Sequence, residues 1–240
     1  MENINKVIHR SDTRGHAAEG WLESFHTFSF ANYYDPQRVR FGTLRVLNDD
    51  IIEAGMGFGM HPHDNMEIIT IPLEGDLEHR DSMGNTSVIK YGDVQVMSAG
   101  TGVFHSEYNK NGDRPVKLLQ IWVFPNKRGV TPRYGQLSLN IEDRVNKFQQ
   151  ILSPDVNDEG LWIHQDAWFS IGRFDNEKEF GYKLKRENNG IYIFIIDGEV
   201  EVNGEKLGKR DGMGISGVDE LNFRTLAKSE VLIMEIPMTI

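Results

Sequence analysis

Gly55-Met56-Gly57-Phe58-Gly59-Met60-His61-Pro62-His63 is the stretch on which the fold turns. In an extended strand, side chains two positions apart share a face. His61 and His63 therefore point one way and Pro62 the other. Proline cannot donate to a sheet ladder, so this segment belongs at a strand start or a sheet edge. Gly57 and Gly59 suit close backbone packing near a site mouth. The same two-residue step recurs in Phe104-His105-Ser106-Glu107. Two strands, each offering two ligands inward, can surround one ion. Three imidazoles and a carboxylate suit one divalent transition metal: iron, copper, nickel, manganese, cobalt or zinc. An octahedral ion so held keeps about two open positions, which marks a catalytic rather than a structural site. One His-x-His pair means little in a chain with eight histidines. The repeated step is what carries the inference.

Outward from this pair of segments the texture is β. Thr43–Leu47, Glu67–Pro72, Ser87–Ile89, Val94–Met97, Leu118–Phe124, Gly190–Ile196, Val200–Val202 and Val231–Ile236 are short and rich in Val, Ile, Phe and Tyr. Val200-Glu201-Val202-Asn203-Gly204-Glu205 predicts a hairpin, because Asn and Gly both tolerate positive φ. Ser82-Met83-Gly84-Asn85 predicts a looser turn. One helix is expected over Ile141–Gln150, where Ile141, Val145 and Phe148 recur about once per turn. Breakers gather in Pro125–Asp155, with a similar β-rich segment on either side. That pattern predicts two barrels in tandem.

Bulk numbers narrow the function. The chain has 240 residues, 39% hydrophobic and 26% charged, with a net charge of -10 and no cysteine. Disulfides, thiolate ligands and cysteine nucleophiles are excluded. The acidic balance argues against direct nucleic-acid binding, since Asn126-Lys127-Arg128 and Arg133 form only a short basic loop. No apolar run reaches the roughly 20 residues that span a bilayer, and the polar start lacks a signal-peptide core. A cytoplasmic protein with no membrane partner is expected. A monomer is compatible with the sequence.

The motifs resemble those of a known family. Gly55, His61, Pro62, His63, Glu67 and Gly75 look like the first cupin motif. Gly92-Asp93, Ser98-Ala99-Gly100-Thr101-Gly102, His105 and Asn109 look like the second. The wording is similar to the pirin family of cupins, including its bacterial quercetinases. His-Pro-His, Met97–Gly102, His105-Ser106-Glu107, Trp21-Leu22, His26–Phe30 and Tyr33–Pro36 all fit. The resemblance implies an all-β bicupin: two tandem jelly-roll-like barrels with few short helices. Residues 1–134 would be a metal-binding cupin barrel and residues 135–240 a degenerate one without a metal site. It implies His61, His63, His105 and Glu107 as metal ligands, the same four that the spacing reaches. Glu67 is a ligand in many cupins, and strand parity would point it inward; here it reads as an outer partner or a structural residue.

By the same resemblance, the protein would be a quercetin 2,3-dioxygenase, opening a flavonol with O2 and releasing CO. Glu107 would serve as general base for the flavonol hydroxyl. Met60, Phe58, Met66 and Phe104 are candidate walls of an apolar cleft, or else barrel core. A pirin-like metal-dependent co-regulator and a cupin enzyme with another substrate are the alternatives. His26, Phe28, Phe30, Tyr33 and Tyr34 read mainly as a segment packed on the barrel. His79 is expected to be exposed, and His9 and His164 to lie outside any site. The C-terminal half echoes the first motif with Gly181, Glu187, Asn188, Asn189 and Gly198. Its second-motif counterpart offers only Asp219 and Glu220, and no histidine follows His164. One ion per chain is therefore expected.

Overall fold

The computed structural model describes residues 4–226 and 228–240. Its strands in the first half are β1 (Asn5–His9), β2 (Gly15–Ala18), β3 (Leu22–His26), β4 (Leu44–Ile52), β5 (Gly57–His63), β6 (Glu67–Glu74), β7 (Asp76–Asp81), β8 (Thr86–Lys90), β9 (Asp93–Ser98), β10 (Val103–Asn109), β11 (Val116–Val123) and β12 (Arg133–Ser138). The second half holds β13 (Phe148–Ser153), β14 (Leu161–Trp162), β15 (Trp168–Phe174), β16 (Lys178–Lys183), β17 (Asn189–Asp197), β18 (Val200–Val202), β19 (Glu205–Leu207), β20 (Gly212–Ser216), β21 (Glu220–Thr225) and β22 (Ser229–Pro237). Among the described residues, helix is limited to short 3-10 turns.

The strands make the same arrangement twice. A seven-stranded sheet, β12-β9-β6-β11-β4-β3-β2, goes with a four-stranded sheet, β5-β10-β7-β8. The second unit repeats this with β1-β20-β17-β22-β15-β13-β14 and β16-β21-β18-β19. These are the two jelly-roll-like barrels expected. The β18–β19 hairpin turns at Asn203 and Gly204, both at positive φ (48° and 80°), as the Asn-Gly pair predicts.

One expectation needs correction. No helix covers Ile141–Gln150. A 3-10 turn at Ile141–Arg144 gives way to β13 beyond Asn146, which sits at φ 56°. Val145 bridges to Arg173 and Phe148 packs edge-on to Phe174, so the apolar residues serve sheet contacts instead of a helix face. β12 (Arg133–Ser138) pairs with β9, and β1 leaves the first barrel to pair with β20 on the edge of the second. His9 at its end hydrogen-bonds through Nδ1 to the Tyr192 hydroxyl at 2.8 Å, within the shared core.

That core lies between the two seven-stranded sheets. Leu47, Ile69 and Leu119 from the first meet Tyr192, Phe194 and Met234 from the second. Burying each such side chain contributes roughly 1.5–3 kcal/mol. Asp49, on the same outward face of β4, is pinned between Arg14 and Arg210 at 3.2 and 2.8 Å. The second barrel is filled by a continuous apolar cluster around Ile191, Ile193, Met213 and Ile233. The first barrel is different. Its apolar filling is split into an end around Ile52, Leu77 and Leu118 and an end around Ile68, Met97 and Val103. Between them, inward positions of β4, β11 and β6 carry Asn48, Gln120 and Thr70, which stand opposite one another in register. A polar belt at this height leaves room for a site.

Candidate metal centre

β5 and β10 assemble the site. β5 is an edge strand, which accommodates Pro62, and it places His61 directly opposite His105. Between His105 and Glu107 the register slips: Glu107 faces Phe58, so three steps along β5 answer two along β10. A bulge of this kind re-aims side chains beside a site. Gly57 permits the close approach, because a Cβ there would fall 2.2 Å from the Glu107 carbonyl oxygen. Gly59 contributes its carbonyl, which accepts a hydrogen bond from His61 Nδ1 at 2.8 Å. A carbonyl can only accept, so His61 donates from Nδ1, which leaves Nε2 as the nitrogen free to face an ion.

One ring nitrogen from each of His61, His63 and His105 lies within 4.8 Å of the others, close enough to hold an ion. Their ring centroids are 4.3 to 4.9 Å apart. Both ring nitrogens of His105 are buried without a partner. Burial first, then its histidine neighbours, pushes His105 down to about 2, and burial and His61 push His63 down to about 4. Both rings are neutral at ordinary pH, with lone pairs available. Orphaned nitrogens, a locked tautomer and converging neutral imidazoles fit a divalent transition ion.

Glu107 is buried near the trio but is not part of that compact group. Its two carboxylate oxygens accept from Gln120 Nε2 at 3.2 and 3.1 Å. Burial raises its pKa, against the pull of His79, His61 and the Gln120 bond.

Several residues fall elsewhere than expected. Glu67 does not share the face of His61 and His63. The turn at Asn65 (φ 43°) breaks the parity between the strands. Glu67 instead accepts from Ser98 Oγ at 2.7 Å, beside Arg133, whose guanidinium lies over the Trp162 ring. Burial pushes its carboxyl up to about 7. Its role here is structural, at the junction of the barrels. His79 is fully buried, not exposed: β7 sets it opposite Glu107, and its Nε2 donates to Asp81 at 2.9 Å. Burial raises the Asp81 carboxyl, but bonds from His79 and Asn85 outweigh it and hold the group low. Sequence reasoning missed this residue because β7, Asp-Leu-Glu-His-Arg-Asp, has the polar look of a surface segment.

His61 and His63 line a cavity of about 280 Å³, with His105 buried behind them. Phe58 lines it as expected, joined by Leu22, Phe30 and Trp122. Met60 and Phe104 do not: they are 58% and 52% exposed, on the opposite face of the same strands. Met66 packs into the apolar end around Ile68. The segment His26–Phe30 both packs on the barrel and reaches the cavity through His26 and Phe30. Ser24, Asn48, Asp50 and Gln120 complete a polar wall that had not been singled out.

Two jelly-roll barrels, the first with an inward histidine cluster beside a cavity and the second filled with apolar side chains, define a two-domain cupin-like protein. Residues 7–123 match the Pirin family model, and residues 150–236 match that of the quercetinase C-terminal cupin domain. Quercetin 2,3-dioxygenase of Escherichia coli is 44% identical over 230 residues, covering 96% of this chain and 98% of the relative. A pirin-like protein of Caulobacter vibrioides is 39% identical over 93% of this chain and 96% of its own. The bacterial pirin YhhW of E. coli, solved in complex with nickel(II), superposes with a TM-score of 0.92 at 42% identity. That match covers 97% of this chain and 99% of that one. The chain belongs to the pirin family. No helix among the described residues is long and apolar enough to cross a membrane.

Proposed function

We propose that this protein is a metal-dependent dioxygenase of the quercetin 2,3-dioxygenase type, which opens a flavonol with O2 and releases CO. The observation that carries this is a converging histidine trio, two of whose members, His61 and His63, line a cavity with a largely apolar surface and a buried carboxylate, Glu107, on its wall. Relatives named quercetin 2,3-dioxygenase support the choice of substrate. His61, His63, His105 and Glu107 would hold one divalent ion. Bound there, it supplies Lewis acidity that lowers the pKa of the flavonol 3-hydroxyl.

The chain does the rest. Glu107 accepts the hydroxyl proton at a carboxylate oxygen, and Gln120 Nε2 keeps that carboxylate aimed. Trp122 and Phe58 offer flat apolar surface to a planar substrate. Phe30 packs edge-on against Trp122, with ring centroids 5.4 Å apart, and fixes that wall. The cavity is slightly below the roughly 300–1,000 Å³ usual for small-molecule sites, so a bound flavonol would leave little space for water.

Metal-reconstituted protein should consume quercetin only when O2 is present, with CO recovered as a product. Loss of the flavonol absorbance with and without air, together with trapped CO, measures this. No CO with any of several metals would overturn the assignment and favour a metal-dependent binding protein.

A further inference from the structure

The cavity wall facing the histidine trio carries polar groups that the proposed proton transfer does not use. Strand pairing sets them in rows. Ser24 stands opposite Asp50 and His26 opposite Asn48 across β3 and β4. All four line the cavity and all four are buried. Ser24 Oγ donates its proton to Asp50 Oδ1, and His26 Nε2 lies 2.8 Å from the same Ser24 oxygen. With Asp50 ionised, the single hydroxyl proton is committed to it, and His26 Nε2 is then the donor. His26 therefore keeps a bare Nδ1, and that atom is buried with no partner.

Other atoms of this wall share that state. Asn48 Oδ1 and Trp122 Nε1 are buried and unpartnered among the described residues. Asp50, on the same wall, is bonded to Ser24 through Oδ1. Polar atoms buried unpaired are costly unless something binds them. The wall is rich in acceptors, set within a cavity whose remaining surface is aromatic and aliphatic. Hydroxyl groups on a flat ring system match both features.

We propose that Asp50, with His26 and Asn48, forms a specificity subsite that accepts hydrogen bonds from ring hydroxyls of a polyhydroxylated planar aromatic substrate, distinct from the hydroxyl whose proton Glu107 takes. This rests on the dioxygenase assignment above. The subsite selects among substrates; it moves no proton in the reaction. Ser24 and His26 hold the Asp50 carboxyl in place.

A cycle that pairs substrate and protein changes tests it. Quercetin and 3-hydroxyflavone, which keeps the 3-hydroxyl but lacks the other ring hydroxyls, are compared on wild-type protein and on Asp50→Leu, each metal-loaded. The ratio of kcat/KM for quercetin to that for 3-hydroxyflavone should fall about tenfold in the variant, mainly through KM. Asn48→Leu should shift the ratio in the same direction and serves if Asp50→Leu does not fold. A structural role would lower both substrates alike and leave the ratio unchanged, which overturns the subsite while the dioxygenase assignment stands. Wild-type protein that turns over neither flavonol overturns the dioxygenase assignment, and the subsite falls with it.

Discussion

His105→Ala abolishes tight metal binding and leaves both barrels folded. His105 sits at the middle of the trio, opposite His61 in register and 4.9 Å from His63 between ring centroids. Removing a residue that merely supports a ligand costs roughly 10–100-fold in metal affinity, so loss of a ligand should exceed that. The fold survives because neither nitrogen of His105 bonds to any of the described residues. Truncation therefore strands no hydrogen-bond partner. The ladder bonds of β10 to β5 and β7 are made by backbone and remain. Metal content per chain, with circular dichroism on the same sample, reads both halves of the result. Metal bound as tightly as in wild-type protein would show that the trio is not the site.

Glu107→Gln keeps much of the metal and loses turnover by about 10²–10⁴-fold, the range over which a positioned general base acts. Glutamine preserves shape and an acceptor for Gln120, but it is neutral and cannot take a proton. The comparison residue is Glu67, which faces the junction of the barrels and accepts from Ser98. Glu67→Gln should leave turnover within a few-fold of wild type, because its side chain points away from the trio. Steady-state kinetics of the two variants at matched metal content decide the matter. Unchanged turnover in Glu107→Gln would remove Glu107 from proton transfer. A larger metal loss in Glu67→Gln than in Glu107→Gln would make Glu67 the carboxylate ligand.

The architecture and the histidine trio were legible in the sequence because both depend on period-two alternation. His61, His63 and His105 lie on strands whose inward face continues the pattern, so spacing alone brought them together. Parity failed where a turn intervened. Asn65 reverses the count between His63 and Glu67, and nothing in the residue types Asp64-Asn65-Met66 fixes how many steps are lost. The polar wall was hidden for another reason. Asn48-Asp49-Asp50 has the composition of a loop, yet it lies inside β4, where Val46, Asn48, Asp50 and Ile52 keep strict alternation. A barrel interior that is polar at one level defeats any search for buried strands by hydrophobicity. His79 on β7 was lost the same way. Met60 and Phe104 were offered as cavity walls on hydrophobic character, against the parity that had already turned them outward. The exchange of β1 onto the second barrel left no local trace, since Asn-Lys-Val-Ile-His is short and half polar.

Turnover measured while metal is titrated into stripped protein tests most directly whether the histidine trio holds the ion on which activity depends. Quercetin consumption should rise linearly with added metal and break at about one equivalent per chain, since the second barrel is filled with apolar side chains and the histidine trio is the one ligand cluster among the described residues. Full activity without added metal, or a break at two equivalents, would contradict a single metal centre in the first barrel.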